Sequence, residues 1–319
     1  MDQLSISLEH DLASLVNEEI PLALPADAPE PGSTLEERMK AIESDLLNRA
    51  GGLDSFRTKA GQIVREAVDY VIDAPTLARY SIDELEPDEK TAIGKRIERL
   101  LRVRFEIERG HKLDVFLGGE DVDIKTTMTN KWMFSKSSWQ RVNLLIAYNE
   151  DKALFSAGLV YVLESQLGAQ NRDSKRTIKA EFYEQIRWIV RDARYPANFL
   201  ARLERGLLDK IRTKRSGQQR VNALLESVPG MVIPRHAIIS VGNQHDSMRR
   251  LRKNGGARSP LWKKGLLVLS GTYNADKSIA AAVCGVSLEP DQFMSLSKDA
   301  PGMTDEVLSV YRSEHGLAP

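Results

Sequence analysis

Two short alternating runs, Leu113–Leu117 and Val122–Thr126, flank Gly118-Gly119-Glu120-Asp121, and they constrain this chain more than any other stretch. They read as a β-hairpin closed by a four-residue loop. With Leu117 paired to Val122, Asp114 lies opposite Lys125 and Phe116 opposite Asp123. Side chains alternate along a strand and cross-strand partners share a face, so this register predicts one small patch of Asp114, Asp123 and Lys125. Two carboxylates that close repel unless a positive charge lies between them. A divalent, oxygen-seeking ion such as Mg2+ meets that demand. A lysine beside it can orient an attacking water or steady a phosphate, so the patch suits metal-assisted phosphodiester hydrolysis. Short Asp-x-Lys matches are common, and the competing reading is a solvated hairpin with its charges facing water.

The net charge is zero, but its distribution is uneven. Residues 1–50 carry eleven acidic and three basic side chains, and residues 205–264 carry fourteen basic and three acidic ones. A concentrated basic segment is the footprint of phosphate binding, which points to nucleic acid. A charged, solvated face is the alternative. The single cysteine, Cys284, excludes an internal disulfide and fits a reducing, cytoplasmic setting. The first residues lack a basic-then-apolar signal, and no apolar run is long enough to span a bilayer.

Residues 1–32 are acidic and proline-bearing and predict a loosely held arm. Ser33-Thr34-Leu35-Glu36 matches a capping box, and its helix should end at Gly51-Gly52. A second helix carries Phe56, Ile63, Ala67 and Val71 and stops by Pro75. A third should run from Pro87 to about Arg109, with Gly110 as its stop. Glu98 lies at the apolar margin of that helix, where it could reach the hairpin patch or pair with Lys95 or Arg102. Val142–Tyr148 and Leu154–Leu163 extend the sheet, and Trp132 between hairpin and sheet should pack inward. Glu181–Val190 reads as a helix broken by Tyr195-Pro196-Ala197-Asn198.

Beyond that break, Gly217–Glu226 and Arg235–Val241 predict helices. Gly242-Asn243 gives a tight turn, and Gln244–Lys253 a third helix with Met248 and Leu251 inward. Gly255-Gly256 and the strand Gly265–Leu269 complete the plan of a winged helix-turn-helix. Residues at the start of such a helix reach base edges, and arginines along it meet phosphate or guanine. The histidines are not grouped for zinc, there is no glycine-rich phosphate cradle, and the last fifty residues suggest no role.

The Asp-x8-Asp-x-Lys spacing resembles the core motif of PD-(D/E)xK endonucleases. Further pieces, in order, resemble one branch, the NaeI family: Arg65-Glu66-Ala67-Val68-Asp69, Glu89-Lys90-Thr91-Ala92-Ile93-Gly94, Trp132-Met133, Gly158-Leu159-Val160, Asn171-Arg172-Asp173-Ser174-Lys175 and Gly217-Gln218-Gln219-Arg220-Val221. The resemblance covers roughly residues 60–271. It departs from the family pattern at Ile124, where cysteine is expected, a position facing away from the proposed metal. It implies a restriction-endonuclease-like mixed sheet flanked by helices (33–196), followed by a winged-helix DNA-binding domain (197–319). It implies Mg2+ held by Glu98, Asp114 and Asp123, with Glu106 the fallback for Glu98, and Lys125 beside the metal. It further implies a homodimer acting on double-stranded DNA, an effector copy of the target bound by the second domain, and a cognate methyltransferase in the same system. DNA contacts are expected from Asn171, Arg172, Lys175, Gln219, Arg220, Arg235, Gln244, His245, Asp246, Arg249, Arg250, Arg252, Lys253 and Arg258. A repair-type or modification-dependent nuclease, or a non-catalytic DNA-binding regulator, are the other readings.

Overall fold

The computed structural model describes residues 33–243, 247–252 and 256–318. The acidic arm expected over residues 1–32, and Gln244, His245, Asp246, Lys253 and Gly255, lie outside the described residues.

Three long helices open the described chain: α1 (Leu35–Ala50), α2 (Leu53–Ile72) and α3 (Pro87–Arg104). Thr34, one residue later than expected, caps α1 in a reciprocal box with Glu37, and Gly51 ends it in the left-handed region. Helix α3 starts on Pro87 with Asp88 and Glu89 in its first turn. It ends at Arg104 rather than Arg109, because Glu106 turns left-handed (φ 51°) and the Ile107 N–H reaches back to the Arg102 carbonyl at 2.9 Å. That reversal tucks Phe105 and Ile107 into the core.

Strands β1 (Val115–Leu117), β2 (Glu120–Thr127), β4 (Val142–Asn149), β5 (Leu154–Tyr161) and β8 (Arg187–Arg194) form a sheet in the order β1-β2-β4-β5-β8. The pair β2–β4 is parallel and the others are antiparallel, so the sheet is mixed. Strand β4 is buried along almost its whole length. Leu144, Ile146 and Tyr148 belong to the core shared with α1–α3, whereas Leu145 and Ala147 join Trp132, Phe134 and Ile178 on the opposite face. A second antiparallel sheet, β3-β7-β6 (Met133–Phe134, Arg176–Ile178, Leu167–Gln170), accompanies that second cluster. Trp132 packs inward as expected.

The stretch expected as a helix over Glu181–Val190 is instead a short 3-10 segment, Ala180–Gln185, followed by β8. Trp188, Ile189 and Val190 are aromatic or β-branched and suit a pleated surface. Pairing with β5 satisfies their backbone, and Asp192 (φ 49°) accommodates the irregular register.

The rest of the chain comprises α4 (Arg205–Arg212), α5 (Gly217–Ser227), β9 (Ile233–Pro234), α6 (Arg235–Gly242), α7 (Arg258–Lys263), β10 (Leu266–Ser270), α8 (Asn274–Cys284), β11 (Gln292–Ser297) and α9 (Asp305–His315). The described part of the expected third helix, Ser247–Leu251, is a 3-10 segment, with Leu251 buried and Met248 against the core as expected. Strand β10 pairs with β11 across α8 rather than with a ribbon tipped by Gly255-Gly256, giving the order β10-β11-β9. The last fifty residues thus close this part of the core: Tyr311 accepts the Val268 N–H and donates to its carbonyl (2.8 and 3.0 Å). Buried side chains are continuous across residue 196, from α1 to Val241.

Candidate active site

The hairpin turns on two residues, not four. Leu117 pairs with Glu120, Phe116 with Asp121 and Val115 with Val122. Gly118 (φ 57°) and Gly119 (φ 84°) both adopt the left-handed conformation that a tight primed turn requires. The register is shifted by two residues from the sequence expectation. An even shift keeps every side chain on its face but changes neighbours: one further step along the ladder brings Asp114 against Asp123, not Lys125.

Helix α1 sets that turn in place. The Gly118 N–H donates to Asp45 Oδ2 at 3.0 Å, and Arg38 forms an ion pair with Glu120. A Cβ on Gly118 would lie 2.5 Å from the Ile42 nitrogen, so only glycine permits this approach.

The Asp114 and Asp123 carboxyls lie side by side and interact directly. Asp114 Oδ2 also accepts the Ile124 N–H at 2.8 Å. Lys125 Nζ lies 2.7 Å from Asp123 Oδ2, and the same oxygen accepts a hydrogen bond from Ser138. Burial, the bond to Asp123, and the negative charges of Asp123 and Glu98 push the Asp114 carboxyl up to about 7. Burial also opposes ionisation of Asp123, but the Asp114 proton, the Lys125 ammonium and the Ser138 hydroxyl outweigh it and hold Asp123 below the usual carboxylate range. Below about pH 7 the two acids therefore share one negative charge and one proton.

Glu98 and Lys125 line one cleft of about 440 Å³, together with Lys90, Lys95, Tyr148 and Lys175. Four lysines around a carboxylate make this cleft suited to a polyanion. Glu98 comes close because Gly94, one turn earlier on α3, lets the helix touch β2 at Thr126. Glu106 lies beyond the helix end and is exposed, and its carbonyl accepts from Arg49 Nη1 at 2.7 Å. Among the described residues no three acids, histidines or cysteines are grouped closely enough to hold a metal ion. Asp114 and Asp123 are in contact, and Glu98 stands back from them.

Several residues expected to meet DNA are engaged in the fold. Arg258 is buried, donating to the Leu251 carbonyl at 2.9 Å and pairing with Asp276 at 3.3 Å, so it has no surface to offer a duplex. Arg220 donates to the carbonyls of Val241, Gly242 and Lys214. Gln219 caps α5, its Oε1 accepting from the Ser216 N–H. Asn171 builds the β6–β7 turn, its Oδ1 accepting from Asp173 and Lys175 N–H groups. Arg235 pairs with Asp291 at 3.0 Å on the surface. Arg172, Arg249 and Arg252 are exposed, Arg250 is half-buried, and Lys175 opens into the cleft beside Lys125. Ser138, which the sequence offers only as part of a loop that could face DNA, and Asn143, which it does not single out, are both buried beside Asp123. Asn143 is its register partner on β4.

A mixed five-stranded sheet flanked by helices, with two acids and a lysine on its edge hairpin and a helix glutamate sharing a cleft with that lysine, is consistent with a restriction-endonuclease-like architecture. The sequence matches the family described as Restriction endonuclease NaeI over residues 52–313. It is 31% identical over 262 residues to the Type II restriction enzyme NaeI of Lentzea aerocolonigenes, an alignment covering 80% of each chain. The chain belongs to the NaeI family of restriction endonucleases. No described helix is long and apolar enough to cross a membrane.

Proposed function

We propose that this protein is a site-specific double-strand DNA endonuclease that uses Mg2+ at the hairpin patch to hydrolyse phosphodiesters. The observation that supports this most is the contact of Asp114, Asp123 and Lys125 beside a lysine-lined cleft that Glu98 enters. The donor set fits a hard cation: two carboxylates meet with a shared proton, which a divalent ion would replace while satisfying both. Asp114 and Asp123 would hold the ion, with Glu98 as the third acid. When bound, Mg2+ supplies Lewis acidity at the scissile phosphate. Lys125 orients the attacking water and balances the charge that the phosphate gains in the transition state. Lys90, Lys95 and Lys175 draw the DNA backbone into the cleft.

Residues 33–196 would form the nuclease domain and 197–319 a variant winged-helix domain. The helix-strand-helix series α5, β9, α6 and the sheet order β9-β11-β10 support the second assignment. That domain would bind an effector copy of the target. A homodimer would place two sites on a two-fold target, in the cytoplasm, beside a cognate DNA methyltransferase.

Plasmid digestion tests this reading. Wild-type protein should give discrete, Mg2+-dependent fragments, and Lys125→Ala should bind the same DNA while cutting it at least about a thousandfold more slowly. Equal cutting by Lys125→Ala would remove the assignment. A short specific duplex added in trans should accelerate cleavage, and an unchanged rate would remove the effector role alone. Parallel digests of methylated and unmethylated plasmid separate a restriction enzyme from a modification-dependent one.

A further inference from the structure

Between the hairpin and β4, the chain makes a 3-10 turn, Lys136–Ser138, that places a hydroxyl on the catalytic face. Ser138 is completely buried, an unusual position for a serine in a surface turn. Its Oγ donates to Asp123 Oδ2 at 2.5 Å, the same oxygen that Lys125 Nζ approaches at 2.7 Å. The turn is fixed from two sides. Ser138 N–H donates to the Ser135 carbonyl at 2.9 Å, and the two hydroxyls lie 3.0 Å apart. From β4, the buried Asn143 Nδ2 donates to the carbonyls of Ser138 (3.1 Å) and Arg141 (2.9 Å). Asn143 is the register partner of Asp123 across the parallel pair β2–β4. The carboxylate and the amide that holds its hydroxyl partner thus stand side by side on one face of the sheet.

We propose that Ser138, anchored by Asn143, is a positioning residue that fixes the Asp123 carboxylate for cation binding; this rests on the nuclease reading above. A carboxylate held only by a lysine can rotate, because the ammonium is a mobile point charge on a flexible stem. Adding a buried hydroxyl on the same oxygen, Oδ2, restrains the plane of the carboxylate and would leave Oδ1 as the oxygen available to hold an ion. Outer partners of this kind orient metal ligands, and their loss costs about 10–100-fold in metal affinity or activity. Any buried hydroxyl needs a partner, and one that merely capped the turn would spend it on backbone, whereas Ser138 spends its own on the Asp123 carboxylate.

The test compares wild type with Ser138→Ala and Ser138→Thr as full-length proteins. Mn2+ binding is measured by calorimetry without DNA, cleavage in single turnover at saturating DNA, and DNA affinity without divalent ions. Ser138→Ala should bind Mn2+ roughly tenfold more weakly and cut about 10–100-fold more slowly. Its DNA affinity and thermal midpoint should stay close to wild type, and Ser138→Thr should recover both losses. A Ser138→Ala protein that takes up Mn2+ like wild type overturns the proposal, whatever its cleavage rate, because the serine would then be structural. If wild type itself neither cuts nor takes up Mn2+, the nuclease reading falls and this proposal with it. If wild type does both and Ser138→Ala matches it, this proposal alone falls.

Discussion

Gly94 on α3 faces Thr126 on β2 so closely that a Cβ added to the glycine would lie 2.2 Å from the threonine Oγ1. Glu98 is one turn further along the same helix face. The missing side chain is therefore what brings an acid on a helix to the strand carrying Lys125. Gly94→Ala raises intrinsic helix propensity by about 1 kcal/mol yet should destabilise the protein by about 1–3 kcal/mol through overpacking. Cleavage should fall about tenfold or more as Glu98 is carried outward. Adding Thr126→Ala removes the nearest atom and leaves the next at 3.5 Å, so the double variant should regain both properties. Urea melts and single-turnover rates on the three variants check this; a double variant no better than Gly94→Ala would contradict the steric account.

The Asp114 carboxyl, raised to about 7 by burial, by Asp123 and by Glu98, makes stability depend on pH in a defined direction. Between about pH 4 and 7 the native state keeps a proton that the unfolded chain has released, so stability falls as pH rises through that window. Asp114→Asn mimics the protonated acid and should escape the fall. Asp114 is partly exposed, and with solvent screening the gain at pH 8 should be on the order of 1–2 kcal/mol, with little difference at pH 4. Mg2+ at pH 8 should raise the melting temperature of wild type and not of the variant. Chemical melts at both pH values decide it: a variant less stable than wild type at pH 8 would mean the two carboxyls do not strain each other.

What the sequence disclosed and what it hid divide along physical lines. Alternation and glycine placed the hairpin, and period-two patterning kept Asp114, Asp123 and Lys125 on one face even with the register wrong by two. Turn length could not be read, because Gly118-Gly119 supports a two-residue turn and Glu120-Asp121 looks equally loop-like. The two-residue turn prevails where Asp45 accepts from Gly118 and Arg38 pairs with Glu120, contacts from residues more than seventy positions away. Ser138 left no local signal, since its partner is fifteen residues back and meets it only through the parallel pairing of β2 with β4. The helix expected over Glu181–Val190 has the same origin: a short stretch of mixed polarity does not fix its own period, and pairing with β5 makes its second half a strand. Basic charge located a region but not its contacts, because an arginine in sequence does not reveal whether its guanidinium faces water or, like Arg258, a buried aspartate.

Arg258 supplies a direct test of that distinction. Asp276 is fully buried and accepts from Ser270 N–H at 2.9 Å, pairs with Arg258 at 3.3 Å and contacts His315 Nε2 at 2.7 Å. Removing either side of a buried pair leaves the other charge uncompensated, so Arg258→Ala and Asp276→Ala should each cost about 3–5 kcal/mol. The double variant should lose less than the sum. At temperatures where Arg258→Ala is folded, the salt dependence of its DNA binding should be unchanged. Arg252→Ala, at an exposed position, should do the reverse, with stability within about 0.5 kcal/mol and a smaller salt slope. Denaturant melts beside binding titrations at several salt concentrations give the answer; a lowered slope in Arg258→Ala would return that residue to the DNA surface.

Lys175 and Asn171 were both expected at DNA, and the structure separates their parts. Lys175 lines the cleft that holds Glu98 and Lys125. Asn171 instead folds the turn that delivers it, accepting the Lys175 N–H at 2.8 Å and the Asp173 N–H at 3.0 Å through Oδ1. A phosphate contact carries no sequence information, so Lys175→Ala should weaken binding equally on specific and unrelated duplexes. It should also lower the slope of log K against log salt by about 0.9. Asn171→Ala removes no charge, yet it should reproduce much of that loss by releasing the turn. The double variant should then be scarcely weaker than Lys175→Ala, because both changes act on one contact. Full additivity in that double variant would show Asn171 touching DNA by itself.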